Sequence, residues 1–84
     1  MKNNFDREID YHGYFPLDAV HELEEELFCS HNESILIIHG IGSGKVKRAV
    51  RDFVRGPGRR HISSFDFGED LGIPGGDGVV VVWT

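Results

Sequence analysis

Residues 34–55 read SILIIHGIGSGKVKRAVRDFVR, and the fold turns on how this stretch divides. Ser34 to Ile38 is a short isoleucine-rich run, the composition of a strand buried on both faces. His39-Gly40-Ile41-Gly42-Ser43-Gly44 follows as a glycine-rich turn. Val46, Ala49, Val50, Phe53 and Val54 then recur at i, i+3, i+4, i+7 and i+8, one apolar stripe along a helix. Lys47, Arg48, Arg51 and Arg55 lie off that stripe, which turns them to solvent or a partner. Gly56-Pro57-Gly58 ends the helix.

Working outward, Phe5 to His12 alternates Ile9 and Tyr11 against Asp10 and His12, a strand pattern that Gly13 stops. Pro16 can open a helix, with Leu17, Val20, Leu23, Leu27 and Phe28 at helical spacing and Glu22, Glu24, Glu25 and Glu26 filling the rest. Downstream, His61 to Phe67 reads as a strand, Gly68 to Gly78 as a loop, and Val79 to Trp83 as a closing buried strand. The order β-α-β-α-β-β predicts an α/β (α+β) two-layer sandwich. It has a mixed four-stranded sheet with two helices on one face, and a right-handed crossover joins the first two strands in parallel. At 84 residues the chain is expected to be one domain, residues 1–84, with its patterned core from about residue 5.

Composition narrows the function classes. A hydrophobic fraction of 39% with 27% charged residues is that of a globular chain. The longest apolar run, Val79 to Trp83, is far short of a membrane span, and Met1 to Asp6 has no signal-peptide core, so a cytoplasmic protein with no membrane partner is expected. The lone Cys29 excludes an internal disulfide and reads as a small buried or half-buried thiol. The net charge of -5 hides an asymmetry: seven basic residues face one acid between Lys45 and Arg60, while the remainder carries two basic and thirteen acidic residues. Such a stripe is either a solvated helix face or a surface for phosphates.

The glycine loop fails two familiar nucleotide motifs. For a Walker loop, His39 stands where the first glycine belongs and Val46 where the metal-binding hydroxyl belongs. For a dinucleotide fingerprint started at Gly40 and Gly42, Lys45 replaces the third glycine. What survives is mechanical: Gly40, Gly42, Ser43 and Gly44 let backbone approach an anion closely, a helix start offers free N–H groups, and Lys45 adds charge. Asp10 and His12, two apart in a strand, project together from its C-terminal end. If the first two strands are parallel, His39 joins them at the edge where α/β folds place ligands. Histidine serves as base or acid near neutral pH, and a carboxylate can orient it. His21, His31 and His61 read as surface residues, and Asp77 as a turn former.

Ile9-Asp10-Tyr11-His12-Gly13 resembles the L-D-x-H-G opening of small MutS-related (Smr) domains. Ile37-Ile38-His39-Gly40-Ile41-Gly42-Ser43-Gly44 resembles their I-I-H-G-x-G-x-G segment, and Gly75-Gly76-Asp77-Gly78-Val79 their closing G-G-x-G stretch. The resemblance implies a two-layer fold similar to the C-terminal domain of translation initiation factor three. It also implies binding to DNA or RNA, with endonuclease activity in several members. On that basis Asp10, His12 and His39 are the catalytic candidates, and Gly40, Gly42, Ser43, Gly44, Lys45, Arg48 and Arg51 the phosphate-binding ones. Magnesium or manganese is a candidate cofactor at Asp10, and the ribosome or other domains of a MutS-related protein are candidate partners. Many members carry lysine or arginine where this chain has Ile41, a change that weakens electrostatic grip on phosphate. Two alternatives to a nuclease are a non-catalytic docking module and a protein-interaction domain using the acidic first helix.

Overall fold

The computed structural model describes residues 4–84. Strand β1 (Arg7–Asp10) leads through helix α1 (Pro16–Phe28) to β2 (Ser34–Ile38), and the glycine loop enters α2 (Lys45–Arg55). A 3-10 turn (Pro57–His61) precedes β3 (Ser64–Phe67), a short helix α3 (Gly68–Leu71), a second 3-10 turn (Gly76–Gly78) and β4 (Val79–Trp83). The sheet order is β1-β2-β4-β3, with β1 and β2 parallel and the other two pairings antiparallel, so the sheet is mixed and four-stranded as its sequence predicts.

Alternation along the strands explains the two layers. Ile35 and Ile37 of β2 and Val80 and Val82 of β4 bury themselves beneath Ala19, Leu23 and Leu27 of α1 and Val50, Phe53 and Val54 of α2. Leu36, Val79 and Val81 point the other way, into a smaller cluster with Phe5, Ile38, Ile73 and Trp83. The β1–β2 register (Arg7 to Ile35 through Asp10 to Ile38) is fixed at its start by Asp6 and Ser34. The Asp6 N–H donates to Ser34 Oγ (3.0 Å), and the Ser34 N–H returns a bond to Asp6 Oδ2 (2.9 Å).

Several sequence expectations need correction. β1 covers four residues, Arg7–Asp10, rather than eight. In α1 the buried stripe runs Ala19, Leu23, Leu27 at i, i+4, i+8, which leaves Leu17 84% and Phe28 73% exposed instead of in the core. His61 lies in a 3-10 turn continued from Gly56-Pro57-Gly58, so β3 starts three residues later than expected. The stretch 68–78 is not structureless: it holds α3 and a 3-10 turn. Cys29 is exposed.

Tyr11, immediately after β1, places its ring in the core at 1% exposure, yet its hydroxyl finds no hydrogen-bond partner among the described residues. A buried unpaired hydroxyl costs roughly 1–3 kcal/mol. Tyr11→Phe is therefore expected to hold or raise stability, by about 1 kcal/mol, in urea unfolding. A clear loss would show that the hydroxyl is satisfied in solution.

Candidate functional site

Because β1 and β2 run parallel, their C-terminal ends open on one edge of the sheet. The Tyr11 N–H donates to the Ile38 carbonyl at 2.7 Å, carrying the pairing one residue past β1. With Tyr11 turned inward, strand alternation turns Asp10 and His12 outward. Asp10 Oδ1 accepts from the His12 backbone N–H (3.0 Å) and lies 2.7 Å from ring Nδ1. A carboxylate can only accept, so this pairing assigns the proton to Nδ1 and leaves Nε2 with its lone pair free. The His12 side chain is 72% exposed, so that lone pair is open to a substrate. Partial burial works against the Asp10 carboxylate, but the bonds from the His12 ring and backbone, with the charge of His12, outweigh it and hold its pKa below the ordinary value.

The glycine loop lies directly against this pair. Gly40 has φ +77°, and a side-chain carbon there would come within 3.2 Å of His12 Cβ. The His39 and Gly40 N–H groups both donate to the Gly78 carbonyl (3.0 and 2.9 Å), which pins the loop to the turn before β4. Gly44, at φ 85°, starts α2 without a side-chain cap, and the Arg48 N–H is bonded to the Gly44 carbonyl at 2.9 Å. The amides ahead of Arg48 in that first turn are the orphan donors of a helix start.

His39 has a different environment from His12. Its ring is buried, with Nδ1 2.7 Å from the Gly40 carbonyl and Nε2 3.1 Å from Arg51 Nε. An arginine can only donate, so Nε2 is the acceptor and Nδ1–H donates to Gly40. Burial lowers the His39 pKa most; the bond to Gly40 opposes that, and the charges of Arg51 and Lys47 push it down further. His39 thus holds the shape of the loop and presents no lone pair to solvent.

Arg51 corrects the expectation of an outward-facing cation. Only 6% exposed, it forms a two-pronged pair with Glu69 (2.7 Å for each arm) and donates to the carbonyls of Val79 (3.0 Å) and Asp77 (3.3 Å). Its guanidinium also lies 4.1 Å from the Phe67 ring centre. The Arg51 hydrogen bonds are the chief reason the Glu69 pKa falls to about 2. Glu69 comes from α3, in the stretch expected to be loop, and nothing in the sequence marked it. Next to it, Gly68 packs so closely on Gly76 that a side chain at 68 would collide with the Gly76 carbonyl.

With a D-x-H edge pinned to an H-G-x-G loop, and that loop to a G-G-x-G turn, the three motifs meet at one place. The Smr domain profile matches residues 9–84. The chain belongs to the Smr domain family. It is similar to endonuclease MutS2 of Staphylococcus aureus, 35% identical in a 77-residue alignment that covers 88% of this chain and 10% of that relative. The match to the strain JH9 protein is equally identical and covers 9% of it, so the chain spans about a tenth of the length of these curated relatives. The Smr domain of Thermus thermophilus MutS2 has the same fold, with a TM-score of 0.72 and 28% identity over 92% of this chain and 95% of that one.

In this Smr domain the basic stripe is divided. Lys47 approaches Asp77 (3.5 Å), Arg55 pairs with Asp52 (3.2 Å), and Arg59 lies over the Phe65 ring (5.5 Å). Lys45, Arg48 and Arg60 are exposed and have no ion pair among the described residues. Gly42 and Ser43 are exposed at the loop tip, beside an Ile41 that is 56% exposed. Among the described residues no three histidine, cysteine or acidic side chains converge as a metal site. A divalent cation at Asp10 would have to take its other ligands from substrate phosphate and water. No helix among the described residues is long and apolar enough to cross a membrane.

Keeping His39 neutral links stability to pH. The unfolded chain binds a proton at this residue near pH 6.5, the folded one only at a lower pH. The contribution is therefore complete above about pH 6.5 and is lost as pH falls toward the lowered folded value. Glu69 acts in a separate window, losing its contribution only below its ordinary 4.5 and toward about 2. Denaturant midpoints measured across mildly acidic pH should fall in the wild type, and the dependence should flatten in His39→Asn. An unchanged slope in that variant would place the titration elsewhere.

Proposed function

We propose that this Smr domain binds nucleic acid along the edge formed by β1, the glycine loop and the start of α2, and cleaves its phosphodiester backbone there. The observation that carries the reading is the Asp10–His12 pair, oriented with a free Nε2 and set against the Gly40 backbone. The loop and the open amides of α2 supply donors for a phosphate, and Lys45 and Arg48 supply charge. The endonuclease name of the Staphylococcus relatives agrees with cleavage. His12 Nε2 is the general base. In RNA it removes the 2′-hydroxyl proton, the freed oxygen attacks phosphorus, and the bond to the 5′-oxygen breaks; that oxygen takes a proton from water, leaving a 2′,3′-cyclic phosphate and a 5′-hydroxyl. In DNA the same nitrogen takes the proton of a water whose oxygen attacks phosphorus; one ester P–O bond breaks, and its oxygen leaves with a proton from solvent. Asp10 holds the ring and its tautomer, and His39, with Arg51 and Glu69 behind it, positions the loop.

A second reading, binding without cleavage, is favoured by one observation: Ile41 places an exposed apolar side chain at the loop tip, where it gives a phosphate no charge. In that case the domain docks a larger protein on nucleic acid.

Labelled single- and double-stranded DNA and RNA, each with and without magnesium or manganese, separate these readings. Cleavage should fall ~10²–10⁴-fold in His12→Ala while binding is kept, because general acid–base catalysis contributes about that much. Activity persisting in purified His12→Ala protein would remove His12 from the chemistry. For binding, charge reversal at Lys45 and Arg48 should weaken affinity for all sequences. It should also flatten the log–log salt dependence by about 0.7–0.9 for every phosphate that the variant no longer neutralises. Unchanged affinity at low salt would move the binding surface off α2.

A further inference from the structure

Two aromatic residues follow the His12 edge, and folding explains the position of only one of them. Tyr14 is anchored: its N–H donates to the Tyr11 carbonyl (3.0 Å) and its ring meets Tyr11 edge-on at 5.1 Å. Phe15 occupies the N-cap of α1, where serine, threonine, aspartate or asparagine would bond the helix amides, and it makes no side-chain cap. It is also 77% exposed. Phe15 therefore forfeits a cap and leaves an aromatic ring in water, so it adds little to the stability of the helix. The chain from His12 to Phe15 can extend no further than about 11 Å, which keeps the Phe15 backbone close to the His12 edge.

Tyr14 and Phe15 share a shallow concavity of about 330 Å³ with Gly13, Asp18, His21 and Glu22. Its acidic groups, Asp18 and Glu22, repel phosphate but accept hydrogen bonds from amino and imino groups on base edges. An aromatic face with acceptors at its rim fits a heterocycle and not a backbone. We propose that Phe15, supported by Tyr14, is a stacking seat for one unpaired nucleobase beside the phosphate at His12. The inference rests on the nucleic-acid reading above and deepens it: the substrate presents a single-stranded or flipped-out base at the site of attack. Base stacking on an aromatic side chain is tolerant of sequence, so the seat selects for strandedness more than for base identity.

The test uses two short end-labelled single-stranded oligonucleotides of equal length, one of mixed sequence and one abasic throughout. Wild type should bind the base-containing strand more tightly. Phe15→Ser should weaken that binding roughly five- to a hundredfold and leave the abasic strand unchanged. Because serine supplies the missing cap, the same substitution should hold or raise the thermal midpoint, which separates loss of stacking from loss of fold. Phe15→Trp should retain binding. Equal loss on both strands, no loss on either, or a wild type indifferent to bases overturns the stacking seat. If base-indifferent binding still weakens with salt, the nucleic-acid reading stands without it, and the exposed ring serves another partner. Failure of the wild type to bind either strand overturns both.

Discussion

Arg51 carries a guanidinium charge, and the fold has enclosed it. That single constraint organises the functional edge. A buried guanidinium needs a counter-charge and acceptors for its N–H groups, and here separate segments supply them: His39 from the glycine loop, Glu69 from α3, and the carbonyls of Asp77 and Val79 from the chain entering β4. Each segment is otherwise a loop or a short turn with little apolar surface to hold it. Arg51 draws them to one point, and Phe67 closes over its plane. The loop that faces His12 therefore owes its shape to a charge behind it.

The two histidines of the edge show how environment divides one side chain between two tasks. His12 meets a carboxylate and open solvent, so one nitrogen is fixed and the other is available. His39 meets a carbonyl and a guanidinium, so both nitrogens are occupied. Only the partners at each ring edge separate the group that can act on a substrate from the group that keeps the frame.

The sequence displays what periodicity and glycine can encode. The stripe from Val46 to Val54, the isoleucine run of β2 and the valines of β4 require no tertiary information, because burial follows directly from their spacing. The neighbourhood of Asp10, His12 and the loop is legible because parallel pairing puts two strand ends together. Arg51 is not, since its polarity suggests solvent and its partners lie 12 to 28 residues away. Leu17 and Phe28 mislead in the opposite sense: their apolar side chains suggest core, although the buried face of α1 passes them by. Glu69 is hidden because α3 is a single turn held by a glycine contact, and no local pattern announces that.

The position of β4 carries a consequence for how the sheet and the site depend on each other. Residues 79–83 are last among the strands in sequence but central in the sheet, lying between β2 and β3, which have no other bridge. The carbonyls of Gly78 and Val79, at the entrance to that strand, also complete the glycine loop and the Arg51 cage. Without residues 78–83, β3 would have no strand to pair with, and the glycine loop and Arg51 would lose the carbonyls of Gly78 and Val79. One strand thus ties the completion of the sheet to the shape of the site, and a change that displaces β4 disturbs both.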